Sequence, residues 1–453
     1  MNNKFNPNAL SEFARYHGFH YDNIDPFNLA KDVLIDMERG LAGQSSSMLM
    51  IPTYVNPAVK VNPGKTVIAL DAGGTNLRAA LVKFDENGKA VVGESLKAHM
   101  PGTRGRISAE TFFDEIAALT APLIEKSKDP IEGIGFCFSF SMEITKDADG
   151  ILLFFSKEVD APEVLGKAIG QGLKEALTRR KLKVPERVVL LNDTAATLLS
   201  GLSEIPVHGG LRKGEDRYGV EAGPVLGFIL GTGFNTAYPE TKIPKIGFNS
   251  PDNPQIVVCE SGNFSHRYMG PMDREYDKTT NSPGAYTLEK AAAGAYLGPL
   301  TFHFMKQAVR EGLVQFRKSD EFLAWPTMQA KDLNAFMHSP LSMEGPIGEL
   351  FGRDERDALS GFAYLTSIVT ERGAMLSAAV VAGAVERTGG GFDPFVPVRI
   401  AVEGTTFMVY KGMRTALESW LYIMLNNGKK RSYSITPVEQ ASLFGAAVAA
   451  LSR

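Results

Sequence analysis

The chain has 453 residues, enough for about two or three domains of ordinary size, each with its own hydrophobic core. Hydrophobic residues make up 44% of the chain and charged residues 22%, which excludes collagen-like, disordered and coiled-coil classes. The 48 basic and 51 acidic residues give a formal charge of -3, so no broad positive surface is available for sequence-independent binding of nucleic acid.

Cysteine content and apolar stretches indicate the cellular compartment of the protein. The only cysteines, Cys137 and Cys259, lie within apolar runs, so neither a disulfide framework nor a structural zinc site is expected. The N-terminal segment is polar and lacks the apolar stretch of a secretory signal, which predicts a cytoplasmic protein. The longest uncharged apolar stretch, Gly373 to Val385, is shorter than the roughly 20 residues of a membrane span. We predict that it is a buried helix and that the protein does not associate with membranes.

The first half of the chain alternates helical and strand patterns. Two amphipathic helices are predicted between residues 5 and 40, and a Ser- and Pro-containing connector follows from Ser45 to Gly64. A strand, a glycine turn and a second strand come next, then a helix from Ala109 to Lys126 and strands at IEGIGFCFSF and ILLFF. A helix from Glu163 to Arg179, the strand RVVLL and a helix beginning at Asn192 complete an α/β pattern.

The second half predicts another α/β domain. Surface loops are predicted at 206–223 and 239–254, on either side of the strand PVLGFILGTG. Helical patterns dominate from Thr287 to the strand VRIAVEGT. A helix near Thr415 to Leu425, a strand near YSITP and an Ala-rich helix ending at Ala450 follow.

A glycine turn follows the strand VIALD and combines several groups that bind phosphate. Gly73 and Gly74 allow a tight turn whose N–H groups face outward, while Thr75 and Asn76 add a hydroxyl and an amide. Asp71 at the strand end is suited to hold Mg²⁺ through water, because Mg²⁺ keeps much of its hydration. A plain hairpin would explain the two glycines, but the full combination favours phosphate binding.

A second glycine turn, ILGTGFN, predicts another phosphate cradle at Gly231, Thr232 and Gly233. Neither turn fits the dinucleotide pattern GxGxxG, and Lys65 does not belong to a P-loop, because Val59 replaces its leading glycine. A third turn at VEGTTF also follows a strand. The recurrence indicates duplicated phosphate-binding units.

Asn192 and Asp193 stand at a strand end where Thr194 opens a helix. Helix capping is common for such residues and is physically sufficient to explain them. A carboxylate here is also suited to accept the proton of an attacking hydroxyl, as phosphoryl transfer to an alcohol requires. The two residues alone leave both interpretations open.

A series of segments in the same order closely resembles the hexokinase family: SSSMLMIPTYV, LDAGGTNLR, GFCFSFSMEIT, ILLFFSKE, LLNDTAATLLSG, ILGTGFNTAY, CESGNF, MDREYDKTTNSPGAYTLEKAAAGAYLG and VEGTTF. The resemblance implies the actin-like ATPase (ribonuclease H-like) fold, in which two α/β domains flank a cleft. The boundaries we predict are an N-terminal helical segment and connector at 1–63, a small domain at 64–191 and a large domain at 192–441. The C-terminal helix, 442–453, would return to the small domain.

The same resemblance implies transfer of a phosphoryl group from MgATP to the 6-hydroxyl of glucose or a related hexose, with Asp193 as the general base. The sugar site that it implies comprises Ser139, Ser156, Lys157, Asn192, Asp193, Asn235, Glu260 and Glu289. It assigns the ATP phosphates to Asp71, Gly73, Gly74, Thr75, Asn76, Arg78, Gly231, Thr232 and Gly233, and adenosine to Gly404, Thr405 and Ser442. Mg²⁺ would be held by Asp71 through water. By spacing alone, Glu289 would be a charge on a helix surface paired with a lysine.

Four positions depart from the usual family pattern. Ser261 replaces a tryptophan, Ser141 a proline, Ser156 a threonine and Glu403 an aspartate. They bear on sugar preference and adenine binding, because pocket shape sets discrimination. Two alternatives stay open: a catalytically silent sugar-binding regulator of the same fold, and another actin-like ATPase such as a chaperone or filament subunit. The expected partners are a hexose and a nucleotide.

Overall fold

The structure, a computed structural model, describes residues 4–59, 61–155, 159–203, 223–342 and 344–452. Two α/β lobes flank a cleft, and each lobe is built on a mixed β-sheet. Ser156, Lys157 and residues 206–222 of a predicted loop lie outside the described residues.

The N-terminal segment forms the two predicted helices. Helices α1 (Pro7–Tyr16) and α2 (Pro26–Leu41) begin with proline behind an Asn or Asp cap, whose side chain accepts backbone N–H groups. Their apolar faces join the hydrophobic core of the second lobe. The connector prediction was partly wrong, because strand β1 (Ile51–Pro52) pairs antiparallel with the edge of the second sheet.

The first lobe carries a five-stranded sheet with the order β4-β3-β2-β5-β8. In chain order its elements are β2 (Thr66–Ala72), β3 (Asn76–Phe84), β4 (Ala90–His99), α3 (Ala109–Lys126), β5 (Ile131–Phe138), β6 (Ser141–Ile144), β7 (Gly150–Phe154), α4 (Ile169–Arg179) and β8 (Val188–Leu191). Strands β2, β3 and β4 are antiparallel neighbours, whereas β5 and β8 run parallel to β2. The helix predicted from Glu163 begins later, because Gly166 adopts a left-handed conformation after a short 3₁₀ turn at Pro162–Val164.

The second lobe carries a six-stranded sheet and most of the helices of the described chain. Its elements are α5 (Asp193–Ser203), β9 (Val225–Leu230), β10 (Phe234–Glu240), β11 (Lys242–Ile243), β12 (Phe248–Asn249), β13 (Gln255–Val258), α6 (Pro271–Lys278), α7 (Thr287–Ala292), α8 (Gly294–Arg310), α9 (Ser319–Ala324), α10 (Ala330–His338), α11 (Gly345–Gly348), α12 (Arg356–Arg387), β14 (Val398–Glu403), α13 (Thr405–Val409), α14 (Met413–Leu421), a π-helical segment (Tyr422–Lys429), β15 (Tyr433–Pro437) and α15 (Ala441–Ala449). The loop predicted at 239–254 instead contains the antiparallel ribbon β11–β12.

The two sheets share one topology. The second has the order β1-β13-β10-β9-β14-β15, and without β1 its path matches that of the first sheet. In each, a glycine turn joins the two strands of a hairpin, a third strand extends the hairpin antiparallel, and two further strands run parallel to the first. The predicted actin-like ATPase fold, with its two α/β domains, is therefore confirmed.

Helix α12 is the central helix of the second lobe. Within the described residues, it alone has the length and apolar composition of a membrane-spanning helix, yet 94% of its most apolar window is buried inside the protein. It contains the stretch from Gly373 to Val385, which confirms that this segment is a buried helix.

Helices α5 and α15 lie between the two sheets and pack against each other. Helix α5 rests on β9 and β14 of the second sheet, whereas α15 rests on β2 and β5 of the first. Glycines permit each contact: a Cβ atom on Gly227 would overlap the carbonyl oxygen of Thr194, one on Gly445 that of Ala196, and one on Gly135 that of Ala446. The lobes thus meet through closely packed backbones, while the domain boundaries at 63/64 and 191/192 stay a prediction.

Candidate active site

The N-terminus of helix α5 stands at the base of the cleft. Strand β8 ends at Leu191, and the Asn192 side chain accepts the Ala195 N–H at 2.9 Å as the cap of the helix. Asp193 is the first helical residue, and its carboxylate accepts the Thr194 hydroxyl at 3.2 Å. The capping interpretation therefore describes Asn192, whereas Asp193 lines the cavity between the lobes.

That cavity has a volume of about 230 Å³ and is lined by residues from both lobes. It brings together four residues of the predicted sugar site: Ser139, Asn192, Asp193 and Glu260. Ser141, one of the departures from the family pattern, also lines it. Carboxylate, amide and hydroxyl groups thus converge on one space, and much of the remaining wall consists of apolar side chains from both lobes, among them Leu49, Met142 and Phe154.

Asn235 holds the side chain of Glu260 in the wall of the cavity. Its amide donates to Glu260 Oε1 at 3.0 Å, and its carbonyl oxygen accepts the N–H groups of Thr236 and Ser261 at 2.8 and 3.2 Å. Burial raises the pKa of Glu260 to about 7, against the lowering effect of the Asn235 hydrogen bond. The negative charge of Asp193 raises it further.

Glu289 lies behind the second glycine turn. Its carboxylate accepts the Phe234 N–H at 3.0 Å, and burial raises its pKa above the usual value. The adjacent Lys290 forms its ion pair with Asp277, although its positive charge also lowers the pKa of Glu289. The interpretation of Glu289 as a surface helix charge was therefore wrong, because it is held against the turn at Gly233.

Each of the two predicted phosphate turns is closed by a backbone hydrogen bond from its first glycine, which spans three residues in the first turn and two in the second. The N–H of Gly73 donates to the Asn76 carbonyl at 3.0 Å, and the N–H of Gly231 donates to the Gly233 carbonyl at 3.0 Å. In both turns the first glycine amide thus closes the turn. The following residues, Gly74, Thr75 and Asn76 in one and Thr232 in the other, are at least partly exposed to solvent.

The third turn touches the second. The Thr406 hydroxyl donates to the Gly231 carbonyl at 2.7 Å, and a Cβ atom on Gly404 would overlap the carbonyl oxygen of Leu230. Gly404 has φ 130, which favours glycine. Gly404 and the exposed Thr405 therefore lie beside Gly231, as an adenosine site next to a phosphate site requires.

The remaining predicted nucleotide residues lie near the start of α15. The Arg78 guanidinium donates to the Gln440 side chain at 3.0 Å, and Ser442 hydrogen-bonds with the thiol of Cys137. Burial raises the pKa of that thiol well above its usual range, and the charges of Asp71 and Asp193 act in the same direction. The charges of Asp71 on β2 and Asp193 on α5 thus act on the same buried thiol.

Glu403 belongs to this region, although the sequence identified it only as a departure from the family pattern. Its carboxyl group lies 3.4 Å from the Thr197 hydroxyl and accepts the Ala441 N–H. Burial raises the pKa of Glu403 to about 7, and the charges of Asp193 and Asp71 contribute. Besides that departure, its place between a strand end and the third glycine turn is the signal in the sequence that points to a functional position.

Metal ligands are sparse in the described part of the chain. Its His, Cys, Asp and Glu side chains form no group of three or more that could hold a metal ion. A magnesium ion would therefore depend on Asp71 together with water and phosphate oxygens, which is the ligand set that Mg²⁺ prefers.

Comparisons with known proteins agree with this arrangement. Two family models described as hexokinase match residues 15–202 and 225–452. Hexokinase-1 of Nicotiana tabacum is 27% identical over 452 residues, covering 94% of this chain and 87% of the relative. Hexokinase-1 of Saccharomyces cerevisiae is 26% identical over 460 residues, covering 95% of this chain and 90% of the relative.

Solved structures share the fold over the whole chain. A crystal structure of a hexokinase has a TM-score of 0.76 at 22% identity, covering 98% of this chain and 99% of the other. A hexokinase from Schistosoma mansoni has a TM-score of 0.70 at 21% identity, covering 99% of this chain and 100% of the other. Because one family model spans more than half of the sequence and the other covers most of the remainder, the chain belongs to the hexokinase family of sugar-phosphorylating enzymes.

Proposed function

We propose that this enzyme transfers the γ-phosphoryl group of MgATP to the 6-hydroxyl of glucose or a related hexose, with Asp193 as the general base. The observation that carries the proposal is the place of Asp193, which lines the cavity between the lobes together with Ser139, Asn192 and Glu260. A carboxylate within hydrogen-bond reach of a primary alcohol accepts its proton as the oxygen attacks phosphorus.

The polar groups of the cavity suit a polyhydroxylated substrate. A sugar hydroxyl can donate to the carboxylate of Glu260 or Asp193 while it accepts from the amide of Asn192 or the hydroxyl of Ser139. A substrate that lacks one hydroxyl leaves a buried partner unsatisfied, which costs roughly 1 to 3 kcal/mol. A hexokinase from Schistosoma mansoni solved in complex with glucose supports a hexose as the occupant.

The glycine turns support a nucleotide on the opposite side of Asp193. Family membership supports ATP as the donor, and the partly or fully exposed residues Gly74, Thr75 and Thr232 lie in the turns that follow β2 and β9, where backbone N–H groups are available. Such groups bind phosphate oxygens without added charge. The Gly404 turn, pressed against the Gly231 turn, supports an adenosine site next to them.

Asp71 fits a magnesium ion held through water, because it lies in the last two residues of β2 beside the first turn, and its charge acts together with that of Asp193 on the thiol of Cys137. Mg²⁺, when bound, neutralises negative charge on the phosphate oxygens. The chain itself orients the sugar hydroxyl, receives its proton at the Asp193 carboxylate and aligns the two substrates across the cleft.

Replacing Asp193 with asparagine tests the proposed base. The amide keeps the size of the carboxylate and one acceptor oxygen but does not accept a proton, so we expect kcat to fall by roughly 10² to 10⁴ while glucose still binds. A coupled assay for glucose-6-phosphate measures kcat, and calorimetry measures binding. Asp357→Asn, in the exposed first turn of α12, is the matched control and should leave both unchanged.

Two outcomes would contradict the proposal. An Asp193→Asn variant that phosphorylates glucose at the parental rate would exclude Asp193 as the base. A parent protein that binds glucose and MgATP but releases no sugar phosphate would instead favour the catalytically silent regulator. A panel of hexoses at fixed MgATP identifies the preferred substrate.

A further inference from the structure

Glu403 ends strand β14 at the junction of the two lobes. The strand runs parallel to β9, with Glu403 opposite Ile229, and the next residue begins the turn that packs on Gly231. The carboxyl group of Glu403 is directed away from the sheet toward the two helices that separate the lobes, since its hydrogen-bond partners lie on α5 and at the start of α15.

The partner on α5 is Thr197, one turn after Asp193. The Thr197 hydroxyl donates to the backbone carbonyl of Asp193 at 2.9 Å, and Glu403 Oε2 lies 3.4 Å from the same hydroxyl oxygen. A hydroxyl has one proton and two lone pairs, so Thr197 connects Glu403 to the first turn of α5. That turn carries the proposed base.

The partner on α15 is the amide of Ala441, the first residue of that helix. Helix α15 packs on β2 and β5 of the first lobe, whereas α5 packs on β9 and β14 of the second. Glu403 is thus a single side chain from the second sheet that holds both the catalytic helix and a helix seated on the first sheet.

We propose that Glu403 is a positioning residue that ties α15 to the first turn of α5 and thereby sets Asp193 relative to the opposite lobe. The inference rests on the proposed role of Asp193 as base. Its physical basis is that a displacement of reacting groups by about 1 Å costs as much as 10²-fold in rate. The link consists of hydrogen bonds to Thr197 and Ala441, and it does not require a negative charge on Glu403.

Replacing Glu403 with glutamine or alanine distinguishes a hydrogen-bonded link from a requirement for negative charge at this position. Glutamine has the same length; its carbonyl oxygen accepts the Ala441 N–H and its amide donates to the Thr197 hydroxyl oxygen. Alanine loses both bonds. The raised pKa of Glu403, caused first by burial, agrees with a neutral side chain being accepted there.

The test measures kcat and the glucose KM for Glu403→Gln, Glu403→Ala and Thr197→Val, with thermal melts to show that each variant is folded. We expect Glu403→Ala to lower kcat by about 10- to 100-fold with a smaller change in glucose KM, and Glu403→Gln to stay within about threefold of the parent. Thr197→Val should act in the same direction as Glu403→Ala. The double variant should be no slower than Glu403→Ala, because both changes break one link.

Thr301→Val is the matched control for Thr197→Val. Thr301 is buried, and its hydroxyl donates to the carbonyl four residues earlier, as that of Thr197 does, but it belongs to α8 and not to either of the helices that Glu403 links. It should leave kcat unchanged. Hydrogen exchange of the Ala441 amide gives a readout independent of activity: we expect it to exchange about tenfold faster in Glu403→Ala and at the parental rate in Glu403→Gln.

The proposal is overturned if Glu403→Ala keeps the parental kcat, or if Glu403→Gln falls as far as Glu403→Ala, which would show that the charge itself matters. Additive effects of Glu403→Ala and Thr197→Val would also overturn it. A parent enzyme that phosphorylates no hexose contradicts the proposed function instead, and the Ala441 exchange rates still decide whether Glu403 ties the two helices.

Discussion

Glu260 combines an unusual backbone with an unusual ionisation. Its φ of 56 places it in the left-handed region, which is uncommon for a residue other than glycine. Burial raises the pKa of its carboxyl group to about 7, and Asp193 and Glu289 add negative charge nearby. Around neutral pH both ionisation states of the carboxyl group are therefore populated. The protonated form donates and accepts hydrogen bonds, whereas the ionised form only accepts them.

The pKa of Glu260 makes stability depend on pH. The folded state holds the proton more tightly than the unfolded chain, whose carboxyl has the ordinary pKa of 4.5, so stability is lost as pH rises from that value to about 7. We expect Glu260→Gln to remove this loss. The difference in unfolding free energy between the variant and the parent should increase by about 1 to 3 kcal/mol from pH 5 to pH 8, in favour of the variant. Urea titration at the two pH values measures this difference.

The same variant should bind glucose more weakly, because a carboxylate acceptor is lost from the cavity. Glu349→Gln, at an exposed position, is the control and should follow the parent at both pH values. Parallel pH profiles for the parent and Glu260→Gln would show that Glu260 titrates normally in the folded protein.

Residue identities in the cavity were predictable to different degrees. Asn192 and Asp193 are adjacent, and their position at a strand end allowed both a cap and a base. The structure shows that Asn192 is the cap, and the role of Asp193 as the base stays a proposal. Glu289 could be understood only after folding, because its partner Phe234 lies 55 positions away in the chain. Glu403 was not among the predicted site residues, because the hydroxyl group that it contacts, on Thr197, lies 206 positions away in the chain.

At the scale of elements, the junction of α5 and α15 depends on glycine. Gly445 faces the backbone of Ala196, and there is no space for a methyl group between the two helices. Helix propensity favours alanine over glycine by about 1 kcal/mol in a helix interior, so local preference and packing act in opposite directions here. Glycine stands at position 445 because the two backbones approach too closely for a methyl group.

Gly445→Ala tests which effect is larger. The added methyl group would force α15 away from α5, and we expect a loss of about 1 to 3 kcal/mol in unfolding free energy, as for other overpacked sites. Because α5 carries Asp193, kcat should fall as well. Thermal melts and the coupled glucose-6-phosphate assay measure both quantities.

Gly361→Ala in α12 is the matched control, since its new methyl group meets a side chain of Val314 rather than a backbone. It should be tolerated better than Gly445→Ala. A Gly445→Ala variant that is more stable than the parent would show that propensity outweighs packing at this junction.

Most long elements followed from periodicity, and the shortest did not. Helix α3 and the hairpin β2–β3 have the residues that the pattern predicted, because a clear alternation and a glycine turn define them. Strands β1, β11 and β12 have two residues each, too few for any period to emerge. Their pairing depends on the sheet or the ribbon that receives them, so sequence alone could not reveal it.

The cleft between the two lobes has apolar edges. Leu49, just before β1 on the second lobe, is 56% exposed, and Phe154, at the end of β7 on the first lobe, is 47% exposed. Both line the cavity that contains Asp193. Closure of the lobes over a sugar would bury these side chains and exclude water, which is the competing nucleophile for the γ-phosphoryl group.

We expect Phe154→Ser and Leu49→Ser to raise the ratio of ATP hydrolysed to sugar phosphate formed, because a more polar edge admits water to the closed site. Parallel assays for ADP and glucose-6-phosphate measure this ratio. Leu341→Ser is the control, since Leu341 is 61% exposed and does not line the cavity. An unchanged ratio in both cleft variants would show that these side chains do not exclude water.

The return of α15 to the first sheet has a consequence for biosynthesis. The face of β5 that carries Gly133 and Gly135 is covered by residues that follow the entire second lobe in the chain. As the polypeptide leaves the ribosome, that face stays uncovered until residues 441–449 have been translated. Final assembly of the first lobe is therefore a late event that depends on synthesis of the second, and a nascent chain arrested before this point exposes apolar surface of the kind that chaperones bind.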